Sequence, residues 1–134
     1  MHKTNIIIIN KSIQQSGIDG GSPTNKGVIY AARCTKHDII YIGQTGDPLN
    51  HRFNRHRSDK TLYPDRCELP KHFNNNTCDF NKDLEISILE NVKGSAASRE
   101  YKEDQWIMRL DTCQPNGLNV HISDFGSLYS QLFK

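Results

Sequence analysis

The chain has 134 residues, of which 35% are hydrophobic and 24% charged, and its formal net charge is +2. This length suits one domain with a modest core, and the small net charge excludes a uniformly basic surface for nucleic acids. The apolar run at residues 6–9 is too short to span a membrane, and no signal-peptide pattern follows it. We therefore expect an intracellular protein, nuclear or cytoplasmic, that is neither secreted nor membrane-bound.

The first predicted elements are a weak N-terminal segment and a β-hairpin. Residues 1–26 are expected to be flexible, with a possible edge strand at residues 6–9 before a glycine-rich connector. From Gly27 onward, apolar residues alternate along two short stretches joined by residues 35–38, which predicts paired antiparallel strands. Tyr30 lies on the first strand and Tyr41 on the second.

A helix is predicted after the hairpin. Asp47 is a suitable N-cap acid, Pro48 is suited to the first helical position, and the pattern runs to about Arg57. Four residues at i, i+3, i+4 and i+7 share one inward stripe: Leu49, Arg52, Phe53 and His56. Polar groups on such a stripe must find partners or line a cleft.

The remainder predicts a short helix at residues 69–73, a third strand at residues 84–88 and a helix at about residues 96–110. A turn and a short extended piece then end at residue 120. We expect a single α/β (α+β) domain over residues 27–122, with a three-stranded antiparallel sheet flanked by helices. Residues 123–134 would form a tail or a short helix.

Glu103 is a candidate ligand for a hard metal ion. A lone carboxylate on the apolar stripe of a helix is unfavourable unless it is paired or metal-bound. The alternative is an ordinary ion pair with Arg99, one turn earlier.

Tyr30 and Tyr41 could orient or deprotonate a water molecule, or bind a phosphate oxygen. The ordinary tyrosine pKa of about 10 makes base catalysis dependent on a nearby cation, which Arg52 could supply while it binds phosphate. The alternative is that both tyrosines are core residues with satisfied hydroxyls.

A local basic run could contact a polyanion, although a solvated helix face would look the same. Its members outside the inward stripe are candidate phosphate contacts: Arg55, Arg57 and Lys60.

The order of these motifs resembles the GIY-YIG nuclease superfamily from about Gly27 to Val120. The matching positions are Val28-Ile29-Tyr30, Tyr41-Ile42-Gly43, Arg52, His56, Glu103 and Asn119. The resemblance implies that Glu103 binds one divalent ion, Mg²⁺ or Mn²⁺, and that Tyr41 or Tyr30 helps to generate hydroxide. It further implies that Arg52 stabilises the phosphate, His56 assists, and Asn119 supports the site by hydrogen bonding.

A closer resemblance is to the endonuclease domain of Penelope-like retroelements. It is carried by segments such as Tyr41-Ile42-Gly43-Gln44-Thr45, His56-Arg57-Ser58-Asp59 and His72-Phe73-Asn74. Members of that branch often carry a structural zinc site built from a Cys-x-x-Cys pair between the two tyrosine motifs and a distant pair of histidines. The corresponding residues here are Cys34, His37, His72 and Cys78, with one exchange in each pair. The alternative is that the zinc site is lost. Cys67 and Cys113 lie outside the pattern and are expected to be free thiols.

These observations predict a metal-dependent endonuclease of mobile-element or homing type that hydrolyses DNA phosphodiesters, nicking one strand at a time. One alternative is an inactive, zinc-stabilised domain that only binds nucleic acid. A second is a zinc-stabilised protein-interaction module, which the near-neutral charge would suit. The oligomeric state and the natural target, whether duplex, branched DNA or RNA, stay open.

Overall fold

The structure is a computed structural model that describes residues 26–64, 67–74 and 77–120. The possible edge strand at residues 6–9 and the tail or helix at residues 123–134 lie outside the described residues. Within the described part of the chain, no helix is both long and apolar enough to cross a membrane.

The described residues form three strands and three helices. They are β1 (Val28–Cys34), β2 (Ile39–Thr45), α1 (Leu49–Leu62), α2 (Glu68–Phe73), β3 (Leu84–Asn91) and α3 (Ala96–Leu110). The strands form one sheet in the order β2-β1-β3, with both neighbouring pairs antiparallel. This confirms the predicted three-stranded antiparallel sheet flanked by helices.

The sheet has a hydrophobic core on each face. Alternate residues of the central strand β1 point to opposite sides, so that Tyr30 packs with Phe53 of α1 while Ile29 packs with Trp106 of α3. Burial on both faces explains why β1 reads as an almost continuous apolar run. Helices α1 and α2 thus cover one face and α3 the other.

Helix α1 differs from its predicted bounds at both ends. Pro48 precedes the first helical residue and no side chain caps the helix, while Asp47 instead forms a 3.6 Å ion pair with Arg55. The helix continues to Leu62, where the Tyr63 N–H closes the last turn on the Asp59 carbonyl at 2.8 Å. The predicted end near Arg57 was wrong because the last turn of α1 is polar and has no apolar spacing from which a helix could be read.

The open edge of β2 is covered by the segment that follows α3. The Leu118 N–H donates to the Ile40 carbonyl at 2.9 Å. The Asn119 side chain then acts as a substitute strand, since its Oδ1 accepts from the Ile42 N–H and its Nδ2 donates to the Ile42 carbonyl, both at 2.9 Å. Thr112 Oγ1 donates to the same Oδ1 at 2.8 Å and fixes the orientation of the amide. The edge backbone beside Tyr41 is therefore fully paired at Ile42.

Gly43 lies directly opposite Tyr30 in the β1–β2 register. A Cβ atom at position 43 would collide with the hydroxyl and the ring of Tyr30. The Tyr30 side chain consequently lies over the backbone of the edge strand, in a space that only glycine leaves free.

We expect Gly43→Ala to destabilise the fold by about 1–3 kcal/mol, because a methyl group would have to displace the buried Tyr30 ring. The measurement is the free energy of unfolding in urea. Gly46→Ala is the matched control, since its Cβ would meet the end of the flexible Arg99 side chain at 2.8 Å, which can move aside. Equal stability of Gly43→Ala and the wild type would contradict this account.

Candidate active site and metal centre

The first element of the site is a buried pair between β1 and α1. The Tyr30 hydroxyl lies 3.1 Å from His56 Nε2, and both side chains are completely buried. Burial, with the nearby charges of Arg52 and Arg55, lowers the pKa of His56 to about 3, so the imidazole is neutral near pH 7. Burial also raises the pKa of Tyr30 above its usual value. The pair is therefore an uncharged phenol beside an uncharged imidazole.

Tyr41 adds a second phenol from the edge strand. Its ring centroid lies 6.5 Å from that of Tyr30 and 6.4 Å from that of His56. Its hydroxyl accepts a hydrogen bond from Cys67 Sγ at 3.2 Å. Burial is the main cause that raises the pKa of Tyr41, with a further contribution from neighbouring Tyr30. Both tyrosines are thus protonated in the isolated protein.

Arg52 supplies the positive charge of the site. The guanidinium lies beside the Tyr30 hydroxyl, where its charge opposes the effect of burial on the pKa of Tyr30. Arg52 Nε is buried and has no hydrogen-bond partner among the residues that the structure describes, and the same holds for His56 Nδ1. Buried donors rarely stay unpaired, so both atoms indicate room for a further polar partner in this site.

Glu103 reaches the same site from α3. Its charge acts on both Tyr30 and Tyr41, although α3 packs on the opposite face of the sheet. The long Tyr30 side chain over Gly43 brings its hydroxyl to the edge strand, where the two faces meet. The five predicted catalytic groups of β1, β2, α1 and α3 therefore lie together: Tyr30, Tyr41, Arg52, His56 and Glu103.

The Glu103 carboxylate has the properties of a cation ligand. Burial, with the neighbouring carboxylates of Asp104 and Glu100, raises its pKa to about 7, and the charge of Arg52 opposes this rise. The alternative ion pair with Arg99 does not form in the described chain, because Arg99 Nε donates to Gln44 Oε1 at 2.9 Å. A half-buried carboxylate without a close ion pair is unfavourable in its charged form, and a divalent cation would relieve that cost.

Asn119 lies one step outside this cluster. Its side chain makes the two hydrogen bonds described above to the backbone of Ile42, the residue between Tyr41 and Gly43 in the sequence. Its contribution to the site is therefore the geometry of β2 rather than a direct contact with the tyrosine hydroxyls.

The three candidate phosphate contacts have different surroundings. Arg55 is exposed and forms its long ion pair with Asp47, whereas Lys60 is half-buried in the last turn of α1. Arg57 is tied to the fold, since it lies 5.6 Å over the Phe80 ring and its Nε donates to Asn81 Oδ1 at 3.2 Å. Arg57 therefore has a packing role that sequence reasoning did not anticipate.

A second cluster joins four side chains that can bind a metal. Their ligand atoms all lie within 4.8 Å of one another: Cys34, His37, His72 and Cys78. Cys34 ends β1, His37 lies in the β1–β2 turn, His72 is on α2, and Cys78 precedes β3.

Two of the three distances around Cys78 match those of a four-coordinate site. Cys78 Sγ lies 3.0 Å from His37 Nδ1, 3.5 Å from Cys34 Sγ and 3.6 Å from His72 Nε2. Tetrahedral sulfur and nitrogen ligands of zinc are separated by about 3.3–3.8 Å, given the usual bond lengths. The contact of Cys78 with His37 is shorter than this range, so the four residues are gathered but these two would have to move slightly apart to hold a metal.

Cys67 is a member of the active-site cluster that sequence reasoning missed. It directly precedes α2 in a stretch without hydrophobic periodicity, so no pattern placed it beside Tyr41. Cys113 packs instead against the apolar core between the sheet and α3, as a structural thiol would.

Known proteins share this fold. The family model of the GIY-YIG catalytic domain matches residues 26–119. A solved structure of the catalytic domain of homing endonuclease I-TevI is similar, with a TM-score of 0.58 and 26% identity over 72% of this chain and 99% of that one. A mutant of the catalytic domain of intron endonuclease I-TevI gives the same TM-score and 25% identity, over 71% of this chain and 93% of that one. No curated protein sequence matches the chain.

The two strand motifs, the gathered polar residues and the match over most of the described chain lead to one conclusion. The chain belongs to the GIY-YIG family, and its fold is that of a GIY-YIG nuclease catalytic domain.

Proposed function

We propose that the protein is an endonuclease that hydrolyses phosphodiester bonds of DNA with one divalent cation, Mg²⁺ or Mn²⁺, bound at Glu103. The observation that carries this proposal is the convergence of Glu103, Arg52 and the two tyrosines at the edge of one sheet. Membership of a nuclease family and the likeness to an intron endonuclease support it.

The proposed reaction joins a water oxygen to phosphorus and breaks the bond from phosphorus to one sugar oxygen. The leaving oxygen takes up a proton, and the attacking water loses one. Bound at Glu103, the cation would neutralise charge that develops on the phosphate oxygens. Arg52 is suited to bind another phosphate oxygen, since its guanidinium keeps a buried, unpartnered Nε in the site.

The hydrogen bonds suggest separate roles for the tyrosines. The Tyr30 hydroxyl is bonded to a neutral imidazole, to which it could pass its own proton as it takes one from the water, and the negative charge of a bound phosphate would favour the protonated imidazole. The Tyr41 oxygen instead accepts from the Cys67 thiol. We assign proton transfer from water to Tyr30 with His56, and orientation of the water or phosphate to Tyr41.

Substrate binding would depend on a few phosphate contacts, because the net charge is only +2. The exposed Arg55 is the best placed, and Lys60 and Arg57 lie further along the same helix. Such binding is expected to weaken with salt and to carry little sequence information. A single site of this kind cuts one strand per event, which makes nicking the expected product.

We further propose that Cys34, His37, His72 and Cys78 bind a structural Zn²⁺. Two thiolates and two imidazoles are a usual closed zinc set, and the proximity of the four ligand atoms supports it. The ion would tie the β1–β2 turn to α2 and to the segment before β3, which would stabilise a domain with a thin core. The sequence segments shared with Penelope-like retroelement endonucleases support the same assignment and a mobile-element or homing role.

The activity is tested by nicking of supercoiled plasmid. We expect relaxation that requires Mg²⁺ and that Glu103→Gln slows on the order of 100-fold, because the amide keeps the shape but loses the charge that binds the cation. Glu100→Gln, an exposed carboxylate on the same helix, is the control that should retain activity. Magnesium is omitted rather than chelated, so that zinc is kept.

The pH dependence of the same assay gives a second, independent test of Glu103 as the cation ligand. Protons compete with Mg²⁺ for a carboxylate whose pKa is about 7. Half-maximal nicking should therefore need about tenfold more Mg²⁺ at pH 6 than at pH 8. The proposal would be contradicted if the protein nicked DNA without Mg²⁺ and Glu103→Gln left that nicking unchanged. A folded protein that binds DNA but does not nick it would support the alternative of an inactive binding domain.

The zinc proposal is tested by the metal content of the purified protein. We expect one zinc per chain, and we expect Cys78→Ser to lose the ion and to unfold at lower urea, because a structural site contributes folding free energy. Cys113→Ser, which removes a thiol outside the cluster, should keep both zinc and stability. A structural zinc would be refuted if the metal-free wild type were as stable as the zinc-loaded protein. A disulfide between Cys34 and Cys78 would refute it as well.

A further inference from the structure

We infer that Cys67 is a positioning residue of this nuclease centre, whose thiol holds the Tyr41 hydroxyl in place by donating a hydrogen bond to it. The inference rests on the proposed function and adds a residue that no motif of the sequence assigns. Its basis is a distance of 3.2 Å between Cys67 Sγ and Tyr41 Oη, in the half-buried space between β2 and the start of α2.

The two tyrosines are fixed by different elements. Tyr30 is bonded to His56 of α1 and is packed edge-on against Phe53. Tyr41 lies on the edge strand, and the Cys67 thiol is the partner of its hydroxyl within the part of the chain that is described. Without that contact, Tyr41 would lose the hydrogen bond that fixes its hydroxyl relative to Tyr30.

Helix α2 determines where the thiol lies. Cys67 is the residue that precedes α2, and Leu69 and Phe73 anchor this short helix in the core beneath Tyr30. His72 at the other end of α2 belongs to the Cys/His cluster. One short helix therefore carries both a ligand of the proposed zinc site and the hydrogen-bond partner of Tyr41.

The direction of the bond has a chemical consequence. Because the thiol donates to the Tyr41 oxygen, the O–H of Tyr41 remains available as a donor. A phenol held in this way can orient a water molecule or a phosphate oxygen and need not itself lose a proton. Cys67 would thus help to separate the orienting role of Tyr41 from the proton-accepting role of Tyr30 with His56.

The test compares Cys67→Ala with Cys67→Ser in single-turnover cleavage of a plasmid. We expect the alanine variant to cleave about tenfold more slowly, since one hydrogen bond is lost at the site, while DNA affinity stays within about twofold. The serine variant keeps a donor and should recover to within about threefold of the wild-type rate. Cys113→Ser is the control for removal of a thiol elsewhere and should cleave as the wild type does.

A readout that needs no activity is the Tyr41 ring carbon bonded to oxygen, followed by NMR and assigned with Tyr41→Phe. Its resonance should shift in Cys67→Ala and return toward the wild-type position in Cys67→Ser. If the wild type nicks no DNA at all, the proposed function fails, and this resonance still decides whether the contact exists.

Three results would overturn the inference: Cys67→Ala cleaving at the wild-type rate, an unchanged Tyr41 resonance in that variant, or equal loss in the serine and alanine variants. If Cys67→Ala does not fold, Cys67→Val, which also lacks a donor, replaces it, both alone and combined with Tyr41→Phe. Removal of the acceptor should make the cleavage rate insensitive to the residue at position 67, and full sensitivity in the Tyr41→Phe background would equally reject the contact.

Discussion

The close approach of the Tyr30 side chain to the backbone of Gly43 determines how this site can be assembled. Because position 43 has no side chain, a phenol from the central strand can pass over the edge strand. Its hydroxyl then lies within reach of α1 on one face of the sheet and within the electrostatic influence of α3 on the other. A larger residue at position 43 would push the Tyr30 hydroxyl away from the edge strand and so separate the groups of α1 from those of α3. Tyr30 of the first motif can therefore take its position only because Gly43 of the second motif has no side chain.

Burial then determines the electrostatics of the assembled groups. It keeps both tyrosines protonated and His56 neutral, and it leaves Glu103 partly protonated near pH 7. The charge of Arg52 acts on Tyr30, His56 and Glu103, and one buried arginine would not balance Glu103 and a bound phosphodiester together. A divalent cation beside Glu103 would supply the missing positive charge and would favour the ionised carboxylate.

The sheet, both long helices and the five clustered polar residues could be predicted, because alternation, helical spacing and ordered motifs leave clear traces in a sequence. Other features depend on tertiary contacts that leave none. The last turn of α1 is polar and has no apolar spacing, and Arg57 is held by Phe80 and Asn81 from the segment before β3. Cys67 has no periodic neighbours that could have placed it beside Tyr41. Spacing predicted the Cys/His set only through a family resemblance, and three-dimensional proximity gives it physical support.

The central claim, that Glu103 provides a divalent-cation site beside the tyrosines, is tested most directly by anomalous diffraction from crystals of the zinc-loaded protein soaked in Mn²⁺. Data collected at wavelengths that separate manganese from zinc should give one manganese peak next to the Glu103 carboxylate in the wild type and none in Glu103→Gln. A manganese peak remote from Glu103, or one that persists unchanged in Glu103→Gln, would contradict the account.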